Sequence, residues 1–164
     1  MSDERKFESL TLDDVMVHRP PLLQLARLCS YTPAYLEAEA CVEATHPFAT
    51  VHGVPALLAI EYLAQAVAAH QGVMDCLAGR PVCEGFLLGA RAITLHVDQL
   101  ALGTRLHARV EREFALGDAF GRYVCRLTNA DTAECVAEGD LKVFQSPEHV
   151  RVLKLQRRSK GEGE

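Results

Sequence analysis

Residues 55–74, PALLAIEYLAQAVAAHQGVM, decide how the rest of the chain is read. The stretch is rich in Ala and Leu and opens on Pro55, which suits the first position of a helix. Its apolar residues run almost all the way round a 3.6-residue repeat. The helix they predict is therefore buried on every side, not packed on a surface by one stripe. Only Glu61, Tyr62 and Gln65 interrupt the apolar run from Val54 to Ala69. Gly72, or the segment Ala78-Gly79-Arg80-Pro81, supplies the stop.

On both sides of this helix the periodicity changes to that of strands. Upstream, Tyr35–Ala44 (YLEAEACVEA) alternates cleanly, with Leu36, Ala38, Ala40 and Val42 on one face and Glu37, Glu39 and Glu43 on the other. Leu22–Cys29 reads as an earlier strand. Thr11–Val17 reads as a short helix with Thr11 as N-cap and Asp13 and Asp14 in its first turn. It stops before His18-Arg19-Pro20-Pro21, because a residue preceding proline avoids the helical region. Downstream come strands over Phe86–Val97, Thr104–Glu111, Phe120–Thr128 and Glu134–Phe144. Turns at Leu116-Gly117-Asp118 and Asn129-Ala130-Asp131 separate the last three. A lone buried helix needs a surface that covers it on several sides, and a curved antiparallel sheet of about six strands supplies one. The expectation is an α+β chain of the hot-dog type, with the domain at residues 1–145 and a basic, solvated tail at 146–164.

The bulk numbers exclude several functions. A chain of 164 residues holds one domain and one core. Its net charge of −5, with no basic patch interleaved with aromatics, argues against nucleic acid. MSDERKFESL at the start lacks the apolar segment of a secretory signal, and no run of roughly 18 apolar residues spans a membrane. The expected location is the cytoplasm. Cysteines 29, 41, 76, 83, 125 and 135 form no CxxC and no zinc-ligand spacing, so they read as reduced, mostly core thiols, with no metal site.

Three features could carry chemistry. Glu61 and Gln65 lie one turn apart on the same helix face. An ionised carboxylate buried in so apolar a helix costs several kcal/mol unless paired or facing a cleft. A desolvated carboxyl with a raised pKa suits general acid catalysis, and Gln65 can hold it in one rotamer. Before the helix, His46-Pro47-Phe48 places an imidazole on an irregular loop, with His52 in the same loop as an alternative base. Third, the Ala56 and Leu57 N–H groups at the helix start are expected to be unpaired and able to polarise a carbonyl. The other histidines (18, 70, 96, 107 and 149) lack this context and read as structural or solvated.

On these residues the sequence resembles the 3-hydroxyacyl-acyl carrier protein dehydratases over roughly Leu12–Phe144. LDDVMVHRPPLLQLARL resembles the family's helix followed by "PHRxPxLLxDR". VPALLAIEYLAQ is similar to "MPGVLxIEALAQ", which aligns Glu61 with the catalytic acid and Gln65 with the glutamine a turn later. LALGTRL is similar to "VxPGDxL". GVPALLAIEYLAQAVAAHQG followed by GFLLGAR resembles a divergent branch associated with aryl polyene biosynthesis. HPFATVHGVPA departs from the usual "GHFPGHPxMPG" loop. The spacing from His46 to Glu61 is one residue longer, and Ala56 stands where the family has glycine, so the base stays open between His46 and His52.

The resemblance implies dehydration of a 3-hydroxyacyl thioester on acyl carrier protein, without cofactor or metal. His46 would remove the Cα proton, Glu61 would protonate the departing hydroxyl, and the Ala56 and Leu57 N–H groups would hold the thioester oxygen. Phe86, Leu87, Leu88 and Gly89 would line the acyl tunnel. It also implies a homodimer, or a heterodimer with a related hot-dog subunit, joined edge to edge. Two alternatives stand beside this: a half-catalytic or non-catalytic subunit of a heteromeric dehydratase, and an acyl thioesterase. Docking an acidic carrier protein needs a basic patch, for which Arg91, Arg105, Arg109 and the tail are candidates.

Overall fold

The computed structural model describes residues 3–117 and 119–145. The expected tail, 146–164, lies outside them, as does Asp118 of the expected turn. The elements run α1 (Asp3–Glu8), α2 (Leu12–Val15), β1 (Leu25–Tyr31), β2 (Tyr35–Cys41), β3 (Val54–Pro55), a 3-10 turn (Ala56–Leu58), α3 (Ala59–Leu77), β4 (Gly85–Leu95), β5 (Gln99–Leu100), β6 (Arg105–Leu116), β7 (Phe120–Asn129) and β8 (Cys135–Gln145). Six strands form one antiparallel sheet in the order β1-β2-β6-β7-β8-β4. The sheet curls around α3, which packs on β1, β2, β4, β6, β7 and β8. This is the hot-dog fold.

The alternation in β2 does what it predicts. Leu36, Ala38 and Ala40 are buried, and opposite them Leu106, Ala108 and Val110 of β6 complete the inner face. The outer face carries cross-strand charge pairs, such as Arg109 with Glu37 and Arg122 with Asp140. On α3, Ala59, Tyr62, Leu63, Ala66, Val67, Ala69, His70 and Val73 are all buried on one broad face, while the face bearing Glu61 is not, which corrects the expectation of a helix buried on every side.

α2 crosses α3 at Gly72. A Cβ there would collide with the Val15 carbonyl, so only glycine permits this approach. Gly72 is therefore a packing site within the helix, and α3 ends later, at Ala78 followed by Gly79 with φ +68°. α2 starts as expected at Thr11, whose N–H and hydroxyl both donate to the Asp14 carboxylate at 2.8 and 2.7 Å. α1 was not expected; its Phe7 stacks on Tyr31 at 5.6 Å between ring centroids.

Several boundaries move, and two of them bear on the site. The first strand begins at Leu25, not Leu22, because the Leu22 carbonyl and Gln24 N–H bond to a side chain of α3 and not to the sheet. The helix does not begin at Pro55. Val54 and Pro55 pair with Leu100 and Gln99, and a 3-10 turn precedes α3.

The sheet's two edges are β1 and β4. Among the described residues β4 pairs on one side only, with β8, and Phe86, Leu87, Leu88 and Leu95 on it are exposed. An unpaired edge carrying large apolar side chains is unusual for an isolated chain and marks an interaction surface.

Candidate active site

An apolar cleft of about 170 Å³ runs along α3, between it and the ends of β4, β7 and β8. Glu61, Ala64, Gln65, Ala68 and Gln71 form its helical wall, a stripe at i, i+3, i+4 spacing. Phe86, Leu87, Phe120 and Phe144 line the opposite side.

Gln65 fixes Glu61. The glutamine is 1 % exposed and every hydrogen-bonding valence needed for burial is used. Its Nε2 donates to Glu61 Oε1 at 2.8 Å and to the Leu22 carbonyl at 2.7 Å, while its Oε1 accepts from Gln24 N–H at 2.8 Å. Because both Nε2 partners are acceptors, the amide has one workable orientation. The same side chain that orients the carboxyl also ties the segment before β1 to the helix. Glu61 itself is exposed in the single chain, which corrects the expectation of a buried carboxyl. It lies at the wall of the cleft, so only an occupant or a second subunit can take it out of water.

His46 sits in the turn between β2 and β3, held by His46 N–H to the Glu43 carbonyl and Ala49 N–H to the His46 carbonyl. Its ring is buried and stacks on Tyr62, the residue after Glu61, at 6.1 Å and 26°. Burial lowers its pKa below the ordinary histidine value, and the negative charge of Glu61 opposes that shift. The carboxylate's field therefore reaches the imidazole. Phe48 N–H donates to His46 Nδ1 at 3.1 Å, so the neutral ring carries its proton on Nε2. Among the described residues the buried Tyr62 hydroxyl has no partner, and burial, with Cys41 and Glu43 nearby, pushes its pKa up to about 12.

His52 lies apart from this group. It is exposed on the tight turn closed by Thr50 and Gly53, and its backbone N–H bonds the Thr50 hydroxyl. At the helix start the expectation of two free N–H groups is corrected: Ala56 N–H donates to the Asp98 carbonyl at 3.0 Å. The β3–β5 pairing brings Asp98 there. Leu57 remains a first-turn donor that no intrahelical carbonyl can reach. Of the expected tunnel residues, Phe86 and Leu87 line the cleft, whereas Leu88 and Gly89 do not. Leu88 is exposed, and a Cβ on residue 89 would meet nothing within 4 Å. A register shift between Leu87 and Gly89 breaks the alternation there.

His18 was read as structural or solvated, yet it lines the cleft, with a buried Nδ1 that has no partner among the described residues. The signal was its place in the HRPP segment that resembles the family motif. Of the docking candidates, Arg105 and Arg109 are engaged by Asp131, Glu37 and Glu111, whereas Arg91 is exposed on β4. Among the described residues, His96, Cys135 and Glu138 bring ligand atoms within 4.8 Å of one another, outside the cleft. Glu138 is already bonded by His96 and Arg126, and the guanidinium opposes a cation.

The comparisons agree with this architecture. A solved dehydratase heterocomplex, ApeI:P from Xenorhabdus doucetiae, is similar at 21 % identity with a TM-score of 0.79, covering 89 % of this chain and 97 % of the other. Thioesterase superfamily member 2 from Mus musculus is similar at 20 % identity with a TM-score of 0.52, covering 74 % and 81 %. No curated protein matches in sequence. These likenesses show the hot-dog fold. Residues 10–154 match the ApeP dehydratase family, ApeP-like. The chain belongs to that family, hot-dog dehydratases of the aryl polyene type.

Proposed function

We propose that this chain dehydrates 3-hydroxyacyl thioesters carried on acyl carrier protein in the cytoplasm, with Glu61 protonating the departing hydroxyl. The carrying observation is that Gln65 pins the Glu61 carboxyl against an apolar cleft while His46 lies within reach of its charge. A positioned acid and base contribute on the order of 10²–10⁴-fold each to such a proton transfer. His46 would take the Cα proton, with His52 as the alternative, and Leu57 N–H would meet the thioester oxygen as charge develops on it.

A second reading is favoured by the state of His46. With Nδ1 accepting from Phe48, Nε2 already holds a hydrogen, and a base acting through Nε2 must be bare there. In this reading the chain is the carboxylate-bearing half of a heteromeric dehydratase, and a related hot-dog subunit supplies the imidazole across the β4 edge. The exposed Glu61 and the apolar unpaired edge support it. So does the likeness to a dehydratase described as a heterocomplex.

The test is turnover of a 3-hydroxyacyl-carrier thioester by the chain alone and with a second hot-dog subunit. An enoyl thioester from the chain alone supports the first reading, and one that needs the partner supports the second. Release of a free thiol in either arm would replace dehydration by thioester hydrolysis.

A further inference from the structure

Gln65 orients Glu61, and Gln65 is itself oriented by backbone outside the helix. Its other two partners are the Leu22 carbonyl and the Gln24 N–H, at 2.7 and 2.8 Å. Both belong to the irregular segment between α2 and β1, where no helix or sheet ladder sets their position. A buried amide takes up the geometry of its partners, so whatever fixes residues 22–24 also fixes the carboxyl.

Arg19 holds that segment from both of its ends. Its Nη1 donates to the Met16 carbonyl at 2.6 Å and to the His18 carbonyl at 2.8 Å, and its Nη2 to the Asp13 carbonyl at 3.3 Å. Asp13 and Met16 lie at the end of α2, whose last carbonyls have no intrahelical donor. A cation is favourable there, and a planar fork spans carbonyls that a point charge cannot. At the other end, the Arg19 carbonyl accepts the N–H groups of Leu22 and Leu23 at 3.0 and 3.1 Å. Pro20 and Pro21, which intervene, have no N–H to offer this turn. Gln24 Nε2 then ties the segment to itself through the Pro21 and Leu22 carbonyls at 3.1 and 3.3 Å.

An unbroken run of bonds therefore leads from α2 through Arg19 and Leu22 to Gln65 and Glu61. Arg19 does not line the cleft, so it acts on an occupant only through these others. Its side chain is 54 % exposed, with the Asp13 carboxylate 3.9 Å from Nε, so its worth lies in geometry more than in ion pairing. We propose that Arg19 is a positioning residue that fixes the Glu61 carboxyl through Leu22, Gln24 and Gln65. The inference rests on the reading of Glu61 as the acid.

The test is a double-mutant cycle on the full chain. Arg19→Met keeps an aliphatic stem and removes every donor. In whichever assembly turns over, the chain alone or with a second hot-dog subunit, it is expected to lower kcat about fivefold with KM unchanged. Added to Gln65→Met it is expected to lower kcat no further, because the link it acts through is already gone. A merely structural residue would subtract its own loss in both backgrounds. Unchanged kcat in Arg19→Met, or the same loss in both backgrounds, overturns the proposal. Two measurements need no turnover. In the unaltered chain, nitrogen-15 NMR should split the two Arg19 Nη signals through hindered rotation about Nε–Cζ, and one averaged signal overturns the proposal without any variant. In Arg19→Met the Gln65 side-chain N–H groups should exchange with water about tenfold faster, and unchanged exchange overturns it too. Glu61→Gln is scored separately: full turnover there would sink the proposed acid and leave the tether seen by NMR standing. Lost turnover with a freely rotating Arg19 would do the reverse.

Discussion

Two imidazoles are buried against α3, and they differ in what their nitrogens do. His70 is 0 % exposed, and both nitrogens are engaged at 3.0 Å, Nδ1 with the Tyr123 hydroxyl and Nε2 with the Thr32 carbonyl. A carbonyl only accepts, so Nε2 holds the proton and Nδ1 accepts from Tyr123. Burial pushes its pKa down to about 4, and the ring is a neutral pin between the helix, β7 and the turn after β1. His46 is also buried, but among the described residues only its Nδ1 has a hydrogen-bond partner, and the negative charge of Glu61 opposes the lowering of its pKa by burial. A fully satisfied buried group stabilises; a buried group with a valence left over is available for chemistry. The two glutamines repeat the contrast, since Gln65 uses both ends of its amide and Gln145 leaves one open.

The comparison can be broken most decisively at Glu61. Glu61→Gln keeps the bonding geometry with Gln65 but cannot give up a proton, and turnover is expected to fall by about 10²–10⁴-fold with the melting temperature unchanged. Turnover within twofold of the unaltered chain would take Glu61 out of the mechanism.

The next largest effect belongs to His70 and is one of stability. Its folded pKa, about 4, lies below the ordinary 6.5, so the unfolded chain binds a proton first as pH falls. Stability from this group is present above pH 6.5 and is lost progressively between about pH 6.5 and 4, up to roughly 3 kcal/mol at 1.36 kcal/mol per unit. Urea unfolding across that window measures it. In His70→Leu the slope over the same range should flatten, while the protein is less stable by about 2 kcal/mol at neutral pH, since the Tyr123 hydroxyl and Thr32 carbonyl lose their partner. An unchanged slope would show that His70 is not the titrating group.

A smaller effect is expected at Gln65. Gln65→Met frees the Glu61 carboxyl to rotate, and kcat should drop about tenfold, roughly 1.4 kcal/mol, beyond any loss of folded protein. A kcat that follows only the folded fraction would mean that Glu61 holds its rotamer unaided. The finest distinction is spectroscopic. Nitrogen-15 NMR of the imidazoles should find Nε2 protonated and Nδ1 bare in both neutral rings, and a protonated Nδ1 on His46 would return it to the role of base acting through Nε2.

Much of the fold was legible because it is written in local periodicity. The two-residue alternation of Leu36, Ala38 and Ala40 and the all-round apolar helix each have one economical solution, and together they require a sheet that wraps. The pairing of Glu61 with Gln65 was legible for the same reason, since residues four apart on a helix are neighbours. Less was visible where distant segments meet. Nothing near Pro55 announces that Val54 and Pro55 will pair with Gln99 and Leu100 and delay the helix, or that Asp98 will occupy the Ala56 N–H. α1 lies in a charged stretch whose one packing residue, Phe7, meets Tyr31 only after folding.

By itself, then, the sequence determined the long helix, the principal strands around it and the one-turn spacing of Glu61 and Gln65, because these depend on spacing along one segment. Tertiary structure alone decided that Glu61 faces a cleft open to solvent, that the buried His46 ring stacks on Tyr62 beside Glu61 while His52 stands exposed, and that β3 and β5 pair ahead of the helix. Hydrogen-bond satisfaction and desolvation depend on which remote atoms arrive within about 3 Å, and periodicity carries no record of that.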